Sequence, residues 1–523
     1  MELVRASHLA RSTVRQLIEL GVSDFVLSPG SRNAPLSLAL VEAAQKGLIE
    51  LHVRIDERGA AYFALGISKA THNYVAVICT SGTAVANYHP AALEAYHSRN
   101  KLIFLTADRP ARLRRTGANQ TTLQNGLLAP LLSIDTADIV DCAGLLNGGP
   151  VHLNLQFDEP LLEKDTNVDW LAGVKRNPTN QKESAENILS VDPKTVIVIG
   201  HDAAGFDKEL VSKVVRDSGL PVIAEDPLSF DMAIPHASLF LSDISIREAL
   251  KAEQIVIIGR TTLSRSINAF IATTHKTVVI DPRIEEIDEN RDASQKLLAL
   301  TTISPTALNS PWLQQWETAG KSAEAALHLE WSEQLVAREI SRQIEDGAAL
   351  FVGSSRPVRD IEAFATPRGG IHTFANRGLA GIDGNISTAL GISTAYKRTY
   401  SIIGDLTFLH DLSALTNTVS AHHTIIIIDN NGGGIFSTLP QAGSDGFEKV
   451  FGTPHNLNIE AVIKGFGYSV EKVKTLVDLS RALNHPGLHF VVIEVPTRDE
   501  NAESLKKLHH SVVSAVRMGS NLA

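Results

Sequence analysis

Cysteine is almost missing from this sequence: only Cys79 and Cys142 occur in 523 residues. Two thiols are too few for a disulfide framework or a cysteine-based zinc site, and their scarcity fits a reducing compartment, so a cytoplasmic location is expected. Long apolar runs are lacking too. The opening MELVRASHLARSTV has no apolar stretch of signal-peptide length, and the long uncharged segment that includes residues 74–93 is interrupted by Ser81, Gly82, Asn87, His89 and Pro90. No membrane span is expected. Nor is there an excess of basic charge, since 48 Lys and Arg stand against 58 Asp and Glu, a net charge of −10. The footprint of a general nucleic-acid or anionic-membrane binder is absent, which leaves small-molecule chemistry as the expectation.

What is there is ordinary globular composition, 44% apolar and 20% charged residues with 36 Gly and 21 Pro, in a chain long enough for several domains. Short apolar, β-branched runs alternate with helix-period segments, the pattern of βα units feeding parallel sheets. The predicted class is α/β, with three doubly wound, mainly parallel sheets. Strands are expected at residues 22–27, 51–55, 74–80, 101–106 and 151–155; then at 195–199, 220–224, 254–258 and 276–280; then at 348–352, 399–403, 424–428 and 488–495. The polar segment 163–187 is read as a linker. Residues 304–322, with Pro305 and Pro311, are read as the second separator, and residues 502–517 as a closing helix. The expected domains are 1–165, 186–325 and 330–523.

Chemistry concentrates in the third series. One predicted strand runs into Gly404-Asp405 and the next into Asp429-Asn430-Asn431-Gly432-Gly433. Parallel strands bring such ends to one edge of the sheet, where α/β proteins bind ligands. A carboxylate, an amide oxygen and the Gly432 carbonyl are hard oxygen donors of the kind Mg²⁺ prefers, and the ion keeps positions open for phosphate oxygens. Either loop alone is explained by turn chemistry, because Asn and Gly tolerate positive φ and Asp caps helices. Together, Gly-Asp followed after about two dozen residues by Asn resembles the bipartite motif of thiamine-diphosphate enzymes. Leu406 stands where that superfamily usually has a third glycine.

A thiamine enzyme also needs a glutamate for the cofactor's aminopyrimidine ring. Glu57, in IDERGAAYFALG at the end of a predicted strand, is the candidate. A Glu in the first turn of a helix is by itself explained by the macrodipole; coupled to the diphosphate loops, it becomes the one buried carboxyl the chemistry requires. Arginines recur in loops after strands: Arg32 in SPGSRN; Arg109, Arg112, Arg114 and Arg115 in TADRPARLRR; Arg356 and Arg359 in GSSRPVRD; and Arg377 in ANRGLAGIDG. Arg suits bidentate carboxylate recognition, so several at one edge imply substrates with several carboxylates. About half are expected to be surface charges, with Arg112, Arg114 and Arg115 first among them.

SPGSRNAPL, IDERGAAYFALG, TSGTAVANYHPAALEA, LTADRPARLRRTGANQ, ANRGLAGIDG, GDLTFLHDL and DNNGGGIFSTLP together resemble the 2-succinyl-5-enolpyruvyl-6-hydroxy-3-cyclohexene-1-carboxylate synthases, thiamine-dependent enzymes of menaquinone biosynthesis. Leu406 after Gly-Asp is that family's residue. The resemblance implies an enzyme that binds thiamine diphosphate with Mg²⁺ or Mn²⁺, decarboxylates 2-oxoglutarate and adds the succinic semialdehyde unit to isochorismate. It implies that Glu57 activates the pyrimidine, that Asp405, Asn430 and Gly432 hold the metal, and that Ile382 wedges the cofactor into a bent conformer. Gly404, Leu406, Gly433, Ile435 and Phe436 would complete the cofactor site. Ser31, Arg32, Arg109, Asn119, Gln120, Ser355, Arg359 and Arg377 match the substrate positions, and Arg265 falls about where the family has a lysine. A homodimer with active sites at its interface, or a dimer of such dimers, is implied. Two alternatives stay open: another 2-oxoacid decarboxylase or acetolactate-synthase-like enzyme, and a non-catalytic homologue that binds pathway metabolites.

Overall fold

The computed structural model describes residues 5–162, 169–176, 188–283, 293–304, 310–417 and 421–519. The chain divides into two compact units. The first is Met1–Gln181 with Asn376–Lys397 and Leu409–Ala421; the second is Lys182–Ala375 with Arg398–Phe408 and His422–Ala523.

The first unit is built on six strands: β1 (Asp24–Leu27), β2 (Glu50–Val53), β3 (Val75–Cys79), β4 (Leu102–Asp108), β5 (Leu132–Thr136) and β6 (Val151–Gln156). They form one parallel sheet in the order β2-β1-β3-β4-β6-β5. The central strands β3 and β4 are buried along their whole length, as VAVIC and LIFLTAD require of strands covered on both faces. Phe25, Leu40, Ile78, Leu105, Leu153 and Phe157 belong to its core.

The second unit holds two larger sheets. After β7 (Ile188–Leu189) come β8 (Thr195–Ile199), β9 (Val222–Ala224), β10 (Gln254–Ile258), β11 (Thr277–Ile280) and β12 (Gln295–Leu297), in the order β12-β11-β10-β8-β9. β13 (Thr302–Ile303) pairs with β7. The other sheet takes β14 (Ala349–Val352), β15 (His372–Phe374), β16 (Thr399–Gly404), β17 (His423–Asp429), β18 (Val470–Val473) and β19 (Leu488–Glu494) in the order β15-β14-β16-β17-β19-β18. Counted within its own sheet, that order is the same 2-1-3-4-6-5 as in the first unit. One topology is thus built twice without a short sequence repeat.

In both outer sheets the first strand has the second on one side and the third on the other, so successive crossovers leave in opposite directions and a crevice opens at the carboxyl ends of the first and third strands. In the first unit the loops there begin at Ser28 and Thr80; in the second, at Gly353 and Asp405. The α/β class with three doubly wound parallel sheets is borne out.

Some elements depart from the sequence reading. Residues 311–322 are no separator: Pro311–Ala325 is a helix whose Trp312 and Trp316 are buried in the middle core with Phe270 and, from the C-terminal helix, Leu508 and Val512. Ser310 caps it, accepting from Leu313 N at 3.2 Å. The C-terminal helix runs Arg498–Gly519, longer at both ends than expected. Strands β5, β7, β12, β13, β15 and β18 lie outside that reading; β5, β12 and β18 are edge strands, half-buried or exposed over most of their length, without an apolar run to mark them. Of the expected linker, 163–168 and 177–187 lie outside the described residues, as does 305–309 of the expected separator. Between them Trp170 donates to Glu42 and Leu171 is buried against the first unit's core, so that part of the segment is packed.

Candidate active site

In the second unit, β16 ends at Gly404 and delivers a buried Asp405; β17 ends at Asp429 and delivers Asn430. The two loops meet. Gly432 N donates to Asp405 Oδ2 at 2.8 Å, and Leu406 N to Oδ1 at 2.7 Å. Burial pushes the Asp405 carboxyl up to about 6 against these two hydrogen bonds, and the charge of Asp429 acts with burial. His455 joins them, its Nε2 3.2 Å from Asp405 and 3.8 Å from Asp429, and ligand atoms of all three lie within 4.8 Å of one another. Sequence reasoning missed His455, which lies in a loop with no spacing signal.

Asn430 Nδ2 donates to Glu333 Oε1 at 2.5 Å, while Asn430 Oδ1 is buried with no hydrogen-bond partner. Gly432 has φ +134°, and a Cβ there would lie 2.1 Å from the Gly452 carbonyl oxygen, so only glycine fits this bend. A buried carboxylate, an orphaned amide oxygen and a sharply bent glycine loop suit a hard divalent cation. Gly433 adjoins the turn Gly434–Thr438, which carries half-buried Ile435 and Phe436; the Phe436 ring lies 5.4 Å from that of Phe451.

At the other loop of this crevice, Ser355 takes φ +75° and its backbone carbonyl accepts Arg359 Nη1 at 2.8 Å. A non-glycine residue held there is a strained position of the kind found at binding sites. Arg356 is engaged with Asp360 and lies 3.5 Å from Glu333. Arg265 starts the helix Arg265–Ile271 and is exposed.

In the first unit, β2 leads to Glu57 at the start of the helix Glu57–Thr71, which Asp56 caps by accepting from Arg58 N at 3.1 Å. Glu57 is half-buried in the chain, not buried as expected, because the first turn of its helix stands at the sheet's open edge. Its charge still reaches the interior, where it adds to burial in raising the Tyr88 phenol and the Cys79 thiol. In the crevice between β1 and β3, the Ser28 and Thr80 hydroxyls are buried without hydrogen-bond partners.

Arg109 Nη1 donates to Ser81 Oγ at 2.9 Å and to the Gln120 carbonyl at 2.8 Å, with Gln120 held at φ +56°. Burial and then the nearby Arg32 charge push the Arg109 guanidinium down. Arg32 donates to the Phe157 carbonyl at 3.1 Å and pairs with Glu159 at 3.2 Å. Ser31 and Asn119 are exposed. Arg114 is bound by Asp108 and Asp135, and Arg112 by Asp158, which gives both structural employment. Arg377 and Ile382, distant in sequence, belong to this unit. Their segment is tied down by Glu94, which accepts from Gly378 N and Leu379 N, and by Tyr62, whose hydroxyl donates to Asp383 at 2.6 Å.

Comparison with known proteins gives this geometry a family. Residues 7–127 match "Thiamine pyrophosphate enzyme, N-terminal TPP binding domain", residues 164–352 "Middle domain of thiamine pyrophosphate", and residues 359–495 "Thiamine pyrophosphate enzyme, C-terminal TPP binding domain". A 2-succinyl-5-enolpyruvyl-6-hydroxy-3-cyclohexene-1-carboxylate synthase from a Nocardioides species is 36% identical, covering 96% of each chain. The chain belongs to this synthase family. The synthase of Thermobifida fusca is 34% identical over 97% of this chain and 99% of its own, and that of Bacillus cytotoxicus 34% identical over 96% of each. Benzoylformate decarboxylase from Polynucleobacter necessarius shares the fold, with a TM-score of 0.68 at 17% identity over 95% of this chain and 99% of that one. As a member of the synthase family the chain is a thiamine-diphosphate enzyme, and each of its two units carries one set of candidate site residues.

Proposed function

We propose that this chain catalyses the decarboxylation of 2-oxoglutarate and the conjugate addition of the resulting succinic semialdehyde unit to isochorismate, giving 2-succinyl-5-enolpyruvyl-6-hydroxy-3-cyclohexene-1-carboxylate for menaquinone biosynthesis. Bound thiamine diphosphate supplies the electron sink for loss of CO₂. The chain's residues bind, orient and move protons. Asp405, the Asn430 amide oxygen and the Gly432 carbonyl would hold Mg²⁺ or Mn²⁺, Gly404, Leu406, Gly433, Ile435 and Phe436 would line the cofactor, and Ile382 would pack against it. The Glu57 carboxyl shares a proton with the aminopyrimidine ring. Arg32, Arg109, Arg359 and Arg377, with Ser31, Asn119, Gln120 and Ser355, hold the substrates' carboxylates in register, a positioning contribution, and Arg265 is the weakest member of that set.

The observation that carries the cofactor assignment is the buried, unpartnered Asn430 Oδ1 in a loop hydrogen-bonded to Asp405. A homodimer sharing its sites, with domains at 1–165, 186–325 and 330–523 and residence in the cytoplasm, completes the reading. Its support is that Glu57 and Asp405 fall in different units and that Glu57 is only half-buried within one chain. The deciding experiment incubates the protein with 2-oxoglutarate and isochorismate, with and without thiamine diphosphate and Mg²⁺. Product is expected only in the complete mixture. Turnover of pyruvate in a parallel incubation, with no product from this mixture, would make it a simple decarboxylase or acetolactate synthase, and cofactor binding without any turnover a metabolite-binding homologue.

A further inference from the structure

We propose that Glu333 is a positioning residue that decides which end of the Asn430 amide faces the metal; this rests on the metal-site reading above. Glu333 opens the helix Glu333–Gln343 and is 4% exposed. Its backbone N–H donates to Asn501 Oδ1 at 3.0 Å, and Arg356 Nε lies 3.5 Å from its carboxylate. Held at both ends, the side chain accepts Asn430 Nδ2 at 2.5 Å. A primary amide is directional, with donors on nitrogen and acceptors only on oxygen. A carboxylate accepts and does not donate, so it fixes the amide nitrogen against itself and turns the oxygen away. Turning the amide over would set two acceptors face to face and leave a buried N–H unpaired, the costly arrangement. The oxygen that remains is the buried Oδ1 without a partner. Glu333 thus acts on the cation through Asn430, and nothing in the sequence distinguishes it from a surface glutamate at a helix start.

The test is titration of Mn²⁺ into the protein in the presence of thiamine diphosphate, with free Mn²⁺ followed by electron paramagnetic resonance and folding by circular dichroism. Asn430→Ala should weaken Mn²⁺ binding about tenfold or more, and Glu333→Leu by a similar factor, as loss of a supporting partner around a metal ligand does. Glu333→Gln keeps an acceptor and should stay within roughly threefold of the parent. The sharper comparison uses Asn430→Asp, which presents an oxygen to position 333. Combined with Glu333→Gln, whose amide nitrogen can donate to that oxygen, Mn²⁺ affinity should recover about tenfold over Asn430→Asp alone; combined with Glu333→Leu, equally uncharged but unable to donate, it should not.

Parent-like Mn²⁺ binding by Glu333→Leu, or equal affinity of the two double variants, overturns the proposal. If the leucine variants do not fold, absence of recovery in Asn430→Asp with Glu333→Gln overturns it. Should Asn430→Ala bind Mn²⁺ like the parent, the metal-site reading itself falls and this inference with it, whereas silence of the Glu333 variants alone removes only the inference.

Discussion

Glu94, buried in the helix His89–Ser98, accepts the backbone N–H of Gly378 at 2.8 Å across 284 positions of chain. Its other oxygen accepts Leu379 N at 2.8 Å, and Lys69 stands 3.6 Å away as its counter-ion. One carboxylate thereby fixes the backbone immediately after Arg377, a proposed substrate ligand.

Glu94→Gln presents an NH₂ to one of these two N–H groups and leaves that donor buried and unpaired, at about 1–3 kcal/mol. The expected result is a lower melting temperature and a fall of roughly tenfold in kcat/KM for isochorismate or 2-oxoglutarate, with thiamine diphosphate affinity less affected. Unchanged stability and kinetics would show that the loop after Arg377 does not depend on this anchor.

The helices Glu57–Thr71 and Asn385–Ser393 cross at two glycines. A Cβ on Gly66 would lie 2.0 Å from the Thr388 carbonyl oxygen, and one on Gly391 2.1 Å from that of Phe63. Backbone cannot yield as a side chain can, so Gly66→Ala should force the helices apart and destabilise by at least about 1–3 kcal/mol. Denaturant titration checks this. A variant within 0.5 kcal/mol of the parent, roughly the scatter of harmless surface changes, would remove the close crossing.

Much of this architecture was legible in the sequence, for physical reasons that also explain what was not. β8 and β10 were placed to the residue because TVIVI and QIVII are uninterrupted buried runs between polar breaks. The loops at Asp405 and Asn430 stood out because glycine and asparagine cluster where strands end. The helix Pro311–Ala325 is masked by its proline, which reads as a breaker, yet Ser310-Pro311 is a helix-start signal, with Pro at the first position and an N-cap before it, and Trp312 and Trp316 share one face. Glu94 and Glu333 were invisible for another reason. Locally each is a charged residue on a helix, and only long-range folding gives either carboxylate its partner.

Acid should act through neutral buried histidines. Burial pushes His423 down to about 3, with the Arg398 charge acting in the same direction, and pushes His152 down to about 4. His152 lies between the Thr106 and Ser133 hydroxyls at 2.8 and 2.9 Å. Unfolded, each histidine takes up a proton below about pH 6.5, whereas the folded chain resists until pH 3–4. The contribution of each such histidine is therefore full above pH 6.5 and is lost as pH falls toward 4, on the order of 2 kcal/mol apiece, while the Asp360, Asp405 and Asp411 carboxyls, which burial pushes up, act in the opposite sense. Urea midpoints measured from pH 7 to 4.5 should show the difference between the parent and His152→Gln shifting against the parent as pH falls, which is the slope that His152 supplies. An unchanged slope in the variant would falsify the role given to His152.

The last prediction concerns how a complete site is assembled. Glu57 belongs to the first unit and Asp405 to the second. If a two-fold dimer pairs the first unit of one chain with the second unit of its partner, both sites are completed together. Glu57→Gln should bind cofactor yet turn over slowly, because the amide cannot share a proton with the aminopyrimidine ring. Asp405→Ala should lose Mg²⁺-dependent cofactor binding, because a charged ligand is gone. Each variant alone then has little or no activity. In a mixed dimer, one site combines both defects and the other combines neither, so subunit exchange should restore up to half of the parent activity per mixed dimer. Native mass spectrometry reports how many mixed dimers form, and 2-oxoglutarate turnover reports whether they work. If mixed dimers form in quantity and the mixture stays as inactive as either variant, each chain must complete its site from its own two units.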